Sequence, residues 1–361
     1  MLIDIDFDEF EYLKLLDTYS RFSPTNLNLT IAPTTKCNFS CTYCYEKGNI
    51  EYCDMNKNTQ RKLIEWIRKQ MNQYKRLSIA WYGGEPLLNI DCIENISKEL
   101  INEGIDFSAS IVTNGYNLTL KNALLLKKNQ VKKIQITLDG PEEIHDQRRF
   151  TYTGGKTFKK ILENIQTCCE VIPISIRVNI DKDNVQYIDK LIETLDTYQL
   201  NNKVHLYIAP VENITGTNCN SSCCFSNRDF ANIALDFYYH NINRGYFNHT
   251  IYSFKPVNCG AVCFSSYVVD SLGNLYKCWD DIGILDEKIG SIFEPLQINK
   301  NALKWLSYDC FSDEECRTCK MLPVCMGGCP NKPIKKQPRS CTSLKYIIDD
   351  YLSLFKNAKL K

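Results

Sequence analysis

Six short apolar runs separated by amphipathic stretches constrain the fold of this chain more than any other feature. The runs "LNLTIAP", "LSIAWYGG", "FSASIVTNG", "KKIQITLDG", "ISIRVNI" and "VHLYIAP" all fall between residues 27 and 210. Their length and composition predict strands. Between them the period changes. Leu63, Ile64, Ile67, Met71 and Tyr74 share one stripe of residues 57–75, and Phe158, Ile161, Leu162 and Ile165 share another in residues 157–170. These stripes predict helices with one buried face. Strand–helix alternation of this kind calls for parallel strands joined by right-handed crossovers, so the chain is α/β. In barrels and open parallel sheets alike, functional residues gather at the strand C-terminal ends.

Four unusual groups occupy those ends. "TTKCNFSCTYCYEKG" follows the first strand, "YGGEP" ends the second, "TNG" the third, and "LDGPEEIHDQRR" the fourth. All four are expected at one mouth. The first group brings Cys37, Cys41 and Cys44 within eight positions, one thiolate short of a closed structural metal site. The chain has nineteen cysteines, an odd number. Its N-terminus "MLIDIDFDEFEYLKLL" is acidic where a signal peptide is basic, and it has no run of about eighteen apolar residues. The expectation is therefore a cytoplasmic protein, in which metal or redox chemistry explains the thiols better than disulfides do. Lys and Arg number 43 against 42 Asp and Glu, a balance that argues against a nucleic-acid or membrane partner.

Beyond Asn258 the pattern changes. Cysteines recur at 259, 263, 278, 310, 316, 319, 325, 329 and 341 with little helical period around them. The expected division is an N-terminal segment over 1–26, a barrel over 27–245, and a cysteine-rich domain over 246–361. A helix over 229–243 is expected to bridge the last two.

Three thiolates can hold three irons of a four-iron, four-sulfur cluster and leave the fourth iron open to a ligand. Here the residues resemble a family. "CNFSCTYC" has the C-x3-C-x2-C spacing, with Tyr43 before the last cysteine, that marks radical S-adenosylmethionine (SAM) enzymes. The resemblance implies a partial (β/α)6 TIM-like barrel. It also implies that SAM chelates the open iron and is cleaved to a 5′-deoxyadenosyl radical, which abstracts a substrate hydrogen. "YGGEP" looks like the family's glycine-rich motif, with Gly83 and Gly84 letting backbone approach the ligand and Glu85 near the methionyl ammonium. "ITLDGPEEIHDQRR" resembles its fourth-strand segment. There Thr137 would contact the ribose and Arg149 the carboxylate end of the cofactor, with Arg148 competing for the latter role.

The C-terminal pattern resembles the SPASM domain: Cys263-x9-Gly273-x4-Cys278, then Cys316-x2-Cys319-x5-Cys325-x3-Cys329, then Cys341. That resemblance implies two auxiliary four-iron clusters, three clusters in all. Cys259, Cys263, Cys278 and Cys329 would hold the first auxiliary cluster, and Cys316, Cys319, Cys325 and Cys341 the second. If Cys259 does not ligate, its cluster has an iron open to substrate. Asp280 and Asp281 would lie beside the first auxiliary cluster, where a general base could sit. In sulfatase-maturating relatives an aspartate directly follows the equivalent cysteine, whereas here Trp279 intervenes.

The remaining candidates have plainer readings. Cys168 and Cys169 are expected to be core, and Cys53 and Cys92 inert. His145 is expected to serve a helix start rather than act as a base. The loop "TGTNCNSSCCFS", with Cys219, Cys223 and Cys224, stays open between substrate contact and no role.

The function that follows is a radical SAM, SPASM-type peptide maturase, similar to maturases of ribosomally made peptides. It would make thioether or carbon–carbon crosslinks in a peptide or protein substrate and draw electrons from a reductant such as flavodoxin or ferredoxin. One alternative is an anaerobic sulfatase-maturating enzyme that makes formylglycine. An alternative of another class is a zinc-stabilised binding protein. The stretch before the first strand is too short for the peptide-recognition domain many peptide-modifying relatives carry. Leader recognition is thus expected to be absent, supplied by another chain, or built into the barrel and C-terminal domain.

Overall fold

The computed structural model describes residues 6–46, 51–212, 223–246 and 254–359. Each expected apolar run forms a strand: β1 (Asn26–Ile31), β2 (Arg76–Trp81), β3 (Phe107–Thr113), β4 (Val131–Thr137), β5 (Ile174–Ile180) and β6 (Val204–Pro210). They pair in sequence order, all parallel. Helices α1 (Glu9–Phe22), α2 (Lys57–Met71), α3 (Ile90–Asn102), α4 (Leu120–Lys128), α5 (Glu142–Arg148), α6 (Phe158–Cys168), α7 (Ile188–Thr197) and α8 (Asn227–Asn241) complete the barrel region and its flanks. Side chains cap several of these helices. Asn56 Oδ1 accepts from Thr59 N–H at 3.0 Å, and Thr119 Oγ1 from Asn122 N–H at 3.2 Å, each satisfying a first-turn donor that would otherwise lack a partner.

Alternation along the strands separates two faces. Leu77, Ile79, Trp81, Leu206 and Ile208 are buried in the main apolar core together with Leu63 and Ile67 of α2 and Ile161 and Leu162 of α6. On the opposite face Thr30, Ser78, Ser110, Gln135, Arg177 and Tyr207 are only half-buried. A closed eight-stranded barrel fills its interior with branched apolar side chains. This sheet instead keeps a polar inner face able to meet a polar ligand.

The sheet does not end at β1. A short strand β7 (Ser266–Val269) adds to β1 in parallel, followed by antiparallel β8 (Asn274–Tyr276) and β9 (Gly290–Ser291), giving nine strands in the order β6-β5-β4-β3-β2-β1-β7-β8-β9. The cysteine-rich segment thus begins as an extension of the barrel sheet, beside the strand that carries the cysteine triplet. α1 also reaches this segment. Arg21, 7 % exposed, donates from Nε to Val262 O at 3.2 Å and from Nη2 to Leu306 O at 2.7 Å, and pairs with Asp17 at 3.2 Å. α8 contributes Ala231 to an apolar cluster with Met321, Cys325, Leu344, Ile347 and Tyr351. Among the described residues, no helix is long and apolar enough to cross a membrane.

Candidate functional site

The loop after β1 is stitched to the segment after β4. Ser40 N–H donates to Phe150 O at 2.8 Å, Thr42 N–H to Arg148 O at 3.0 Å, and Tyr152 N–H to Asn38 O at 3.1 Å. Cys41 is buried, and Cys37 and Cys44 are half-buried. Burial first, then Glu85, then the Cys41 and Cys44 thiols push the Cys37 thiol up to about 12. A thiol raised in this way becomes a thiolate readily only with a cation beside it.

The glycine pair after β2 lets this loop sit where it does. A Cβ on Gly83, whose φ is +106°, would stand 2.6 Å from Thr34 O, and one on Gly84 would stand 2.3 Å from Lys36 O. Gly84 N–H donates to Thr34 O at 3.2 Å and Glu85 N–H to Lys36 O at 2.8 Å. The sequence reading gave this close approach to a ligand; in the structure the cysteine loop itself makes it. Glu85 is 1 % exposed and accepts from Thr113 Oγ1–H at 2.6 Å, Asn114 N–H at 2.6 Å and Leu87 N–H at 3.0 Å. Burial raises its pKa, and those donors oppose the rise. Its carboxylate ties β2 to β3 and retains acceptor capacity for one further donor.

Tyr43 is the hub of the mouth. Its hydroxyl donates to Asp139 Oδ2 and accepts from Arg149 Nη1 at 2.8 Å and Asn179 Nδ2 at 3.2 Å. The two arginines that compete in the sequence are held differently. Arg148 is locked bidentate on Asp181 at 3.1 and 2.9 Å and lies over the Tyr43 ring at 5.1 Å. Arg149, 9 % exposed, spends one donor on Tyr43, while its buried Nε has no partner. Burial alone would lower the Arg149 pKa; Cys41, Tyr43 and Asp139 raise it well above its ordinary value. Thr137 is buried at the end of β4, in register with Arg177 of β5.

His145 is fully buried inside α5 rather than at its start. Its Nδ1 accepts from Asp139 N–H at 3.3 Å, so Nε2 carries the proton toward Thr157 Oγ1 at 3.2 Å, and Thr157 donates onward to Arg149 O at 2.5 Å. Burial, then Arg149 and Arg148, hold its pKa well below the usual range. It is a neutral spacer that positions the arginine backbone.

The C-terminal cysteines fall into two groups through their mutual influence. Burial, then Cys329 and Cys263, push Cys259 up to about 11. Cys278 is raised by burial, then Asp280 and Asp281, then Cys259. In the second group burial, Cys325 and Cys319 raise Cys341 against the pull of Lys345, while burial and Cys325 help lift Cys316 to about 11. Cys310, which the sequence left unassigned, is buried near Cys316. Among the described residues, no three His, Cys, Asp or Glu side chains converge closely enough to hold a single metal ion.

Around the first group Asn331 Nδ2 donates to Cys278 Sγ at 3.4 Å and to Asp280 Oδ2 at 3.2 Å, and Lys335 pairs with fully buried Asp281 at 2.6 Å. Trp279 is 50 % exposed and stacks on Tyr82 of the β2 turn at 5.8 Å, and the Tyr82 hydroxyl meets that of Tyr45 at 2.5 Å. Glu46, next along, has a buried Oε1 without a hydrogen-bond partner, and burial helps push its carboxyl up to about 7.

The sequence reading missed Asp139, Asn179, Tyr82 and Glu46. Asp139 and Asn179 at least sit at strand ends, where the topology rule could have found them. Cys168, Cys169 and Cys92 are buried apolar packing, and Cys53 Sγ lies 3.1 Å from Ser271 Oγ. In the thiol-rich loop, Cys223 and Cys224 are half-buried and Cys223 O accepts from Lys182 N–H at 3.0 Å; Cys219 lies outside the described residues.

A parallel α/β sheet carrying a three-cysteine loop at the end of its first strand is the arrangement of a radical SAM domain. Residues 31–195 match the family model described as "Radical SAM superfamily", and the chain is an enzyme that carries this domain. The superfamily implies SAM and a four-iron cluster. The donor set fits that pair: three thiols sit on one loop, and the buried Arg149 Nε lacks a partner. The chain is 27 % identical over 348 residues to a cysteine-type anaerobic sulfatase-maturating enzyme of Clostridium novyi, covering 85 % of this chain and 90 % of that one. Its fold is shared with native anSMEcpe bound to AdoMet and the Kp18Cys peptide (TM-score 0.72, 21 % identity, 92 % of this chain and 99 % of that one). It is shared too with Streptococcus suis SuiB bound to the precursor peptide SuiA (TM-score 0.65, 17 % identity, 93 % and 81 % covered).

Proposed function

We propose that this enzyme is a peptide maturase that closes thioether or carbon–carbon crosslinks oxidatively. The observation that carries the reading is the pairing of a three-thiol loop at the barrel mouth with further cysteines on a segment whose sheet continues from the same strand. Bound at the mouth, a cluster and SAM supply hydrogen-atom abstraction. The chain's own part is to hold and orient. Cys37, Cys41 and Cys44 ligate three irons. Arg149 keeps a buried Nε without a partner for the cofactor carboxylate, whereas Arg148 has both Nη groups on Asp181 and its Nε facing Asp139 at 3.6 Å. Glu85 can accept from the methionyl ammonium, and Thr137 can meet the ribose.

After a substrate hydrogen is removed, closing a crosslink releases one more electron and one proton. Cys259, Cys263, Cys278 and Cys329 would hold one auxiliary cluster and Cys316, Cys319, Cys325 and Cys341 a second, a chemistry that would supply an acceptor for the electron. Asp280 is the better placed of the two aspartates to take the proton, because Asp281 is engaged by Lys335. The starting electron comes from a reductant such as flavodoxin or ferredoxin. Two peptide-bound structures share the fold, which supports a polypeptide substrate.

Formylglycine formation is the second reading, favoured by the Clostridium novyi relative. Trp279 counts against it, since it displaces the aspartate from its place directly after Cys278. Co-expression with any small cysteine-rich reading frame found beside this gene tests the proposal by mass spectrometry. A precursor lighter by two hydrogens is expected, and precursors of unchanged mass would contradict it.

A further inference from the structure

Lys277 is 4 % exposed, which is rare for a lysine. Its Nζ donates to Cys263 O at 2.5 Å and Ser266 O at 2.7 Å and lies 5.0 Å from the centre of the Tyr267 ring. Among the described residues, no carboxylate forms an ion pair with it. Two carbonyl dipoles and a ring face only partly replace water around a buried ammonium. A buried cation is normally balanced by an anion, and the groups that bear on this one are the Cys263 and Cys259 thiols, opposed by the Arg21 guanidinium, which is itself paired with Asp17 at 3.2 Å. Lys277 directly precedes Cys278, and one of its two acceptor carbonyls belongs to Cys263. The Cys263 thiol lies 3.8 Å from Cys259 O. Lys335, the other lysine beside this group, is already spent on Asp281.

The structure assigns Lys277 as the internal counter-charge of an iron–sulfur cluster held by Cys259, Cys263, Cys278 and Cys329, making that cluster easier to reduce. This rests on the auxiliary-cluster reading above. A cluster that accepts one electron gains one negative charge inside the protein, and a fixed ammonium beside it stabilises the reduced state more than the oxidised one. Asn331 acts in the same direction through its N–H···S contact with Cys278. Lys277 therefore tunes the site that must accept the substrate's electron without touching substrate itself.

The test is an EPR-monitored redox titration of the anaerobically reconstituted full-length chain, with Cys37, Cys41 and Cys44 changed to alanine so that only C-terminal signals remain. Adding Cys278→Ala identifies the signal belonging to this site. Lys277→Met is expected to lower the reduced-to-oxidised ratio of that signal at fixed poise at least tenfold, about 59 mV for one electron. Lys277→Arg should hold the ratio within about threefold, and the other auxiliary signal should not move. A Lys277→Met shift below tenfold, with iron retained, overturns the proposal. If neutral variants lose this site's iron, its retention in Lys277→Arg upholds the counter-charge and its loss there overturns it. If Cys278→Ala removes no signal, the ligand set falls and the counter-charge falls with it, a result distinct from an intact signal that ignores Lys277.

Discussion

Cys41→Ala is expected to leave 5′-deoxyadenosine undetectable when the purified chain is incubated with SAM and dithionite, while the iron of the C-terminal region persists. Three thiolates are the fewest that can hold a cluster with one open iron, so losing one leaves no assembled site for SAM. Cys41 is the buried member of the triplet, flanked by the backbone bonds that fasten the loop to Phe150 and Arg148. Those bonds survive the substitution, so the loop keeps its path and the loss is chemical. The other assigned cysteines lie beyond residue 258, on elements that do not depend on this thiol. Deoxyadenosine formed by the variant would show that the triplet is not the SAM site.

Iron content should follow the same division. Three sites imply about twelve irons per chain, and changing Cys37, Cys41 and Cys44 together should leave about eight. The structure supports independent loss because Cys325 and Cys319 of the second group share their apolar surroundings with Ala231 of α8 and with Tyr351. Only four irons in the wild type, or none after loss of the triplet, would mean that the C-terminal cysteines bind something else. A colourless, zinc-loaded preparation would point to the binding-protein alternative.

The sequence made the barrel strands legible because each run is apolar, β-branched and bounded by turn residues, and β5, "ISIRVNI", shows all three traits. β7 was not legible. Its four residues "SYVV" carry too little period to announce a strand, and its partner β1 lies more than two hundred positions earlier. The extension of the sheet into the cysteine-rich segment is therefore a tertiary fact.

The site divided in the same way. Spacing located the thiols, because cluster ligation imposes spacing directly. The polar network did not announce itself. Tyr43 meets Asp139 and Asn179 across 96 and 136 positions, and such contacts leave no local pattern. The choice between adjacent Arg148 and Arg149 turns on Asp181, which the sequence could not connect to either. The glycine pair was recognised for the approach of a ligand, and the sequence did not show that its missing Cβ atoms also make room for Thr34 O and Lys36 O.

A two-peptide assay tests the central claim most directly. The reduced, reconstituted enzyme is incubated with SAM and either a candidate precursor peptide found encoded beside its gene or a sulfatase-derived Cys-x-Pro-x-Arg peptide, and each product is weighed. A crosslinked precursor lighter by two hydrogens, with the sulfatase peptide unchanged, is the expected result. Formylglycine in the sulfatase peptide, with the precursor unchanged, would contradict it.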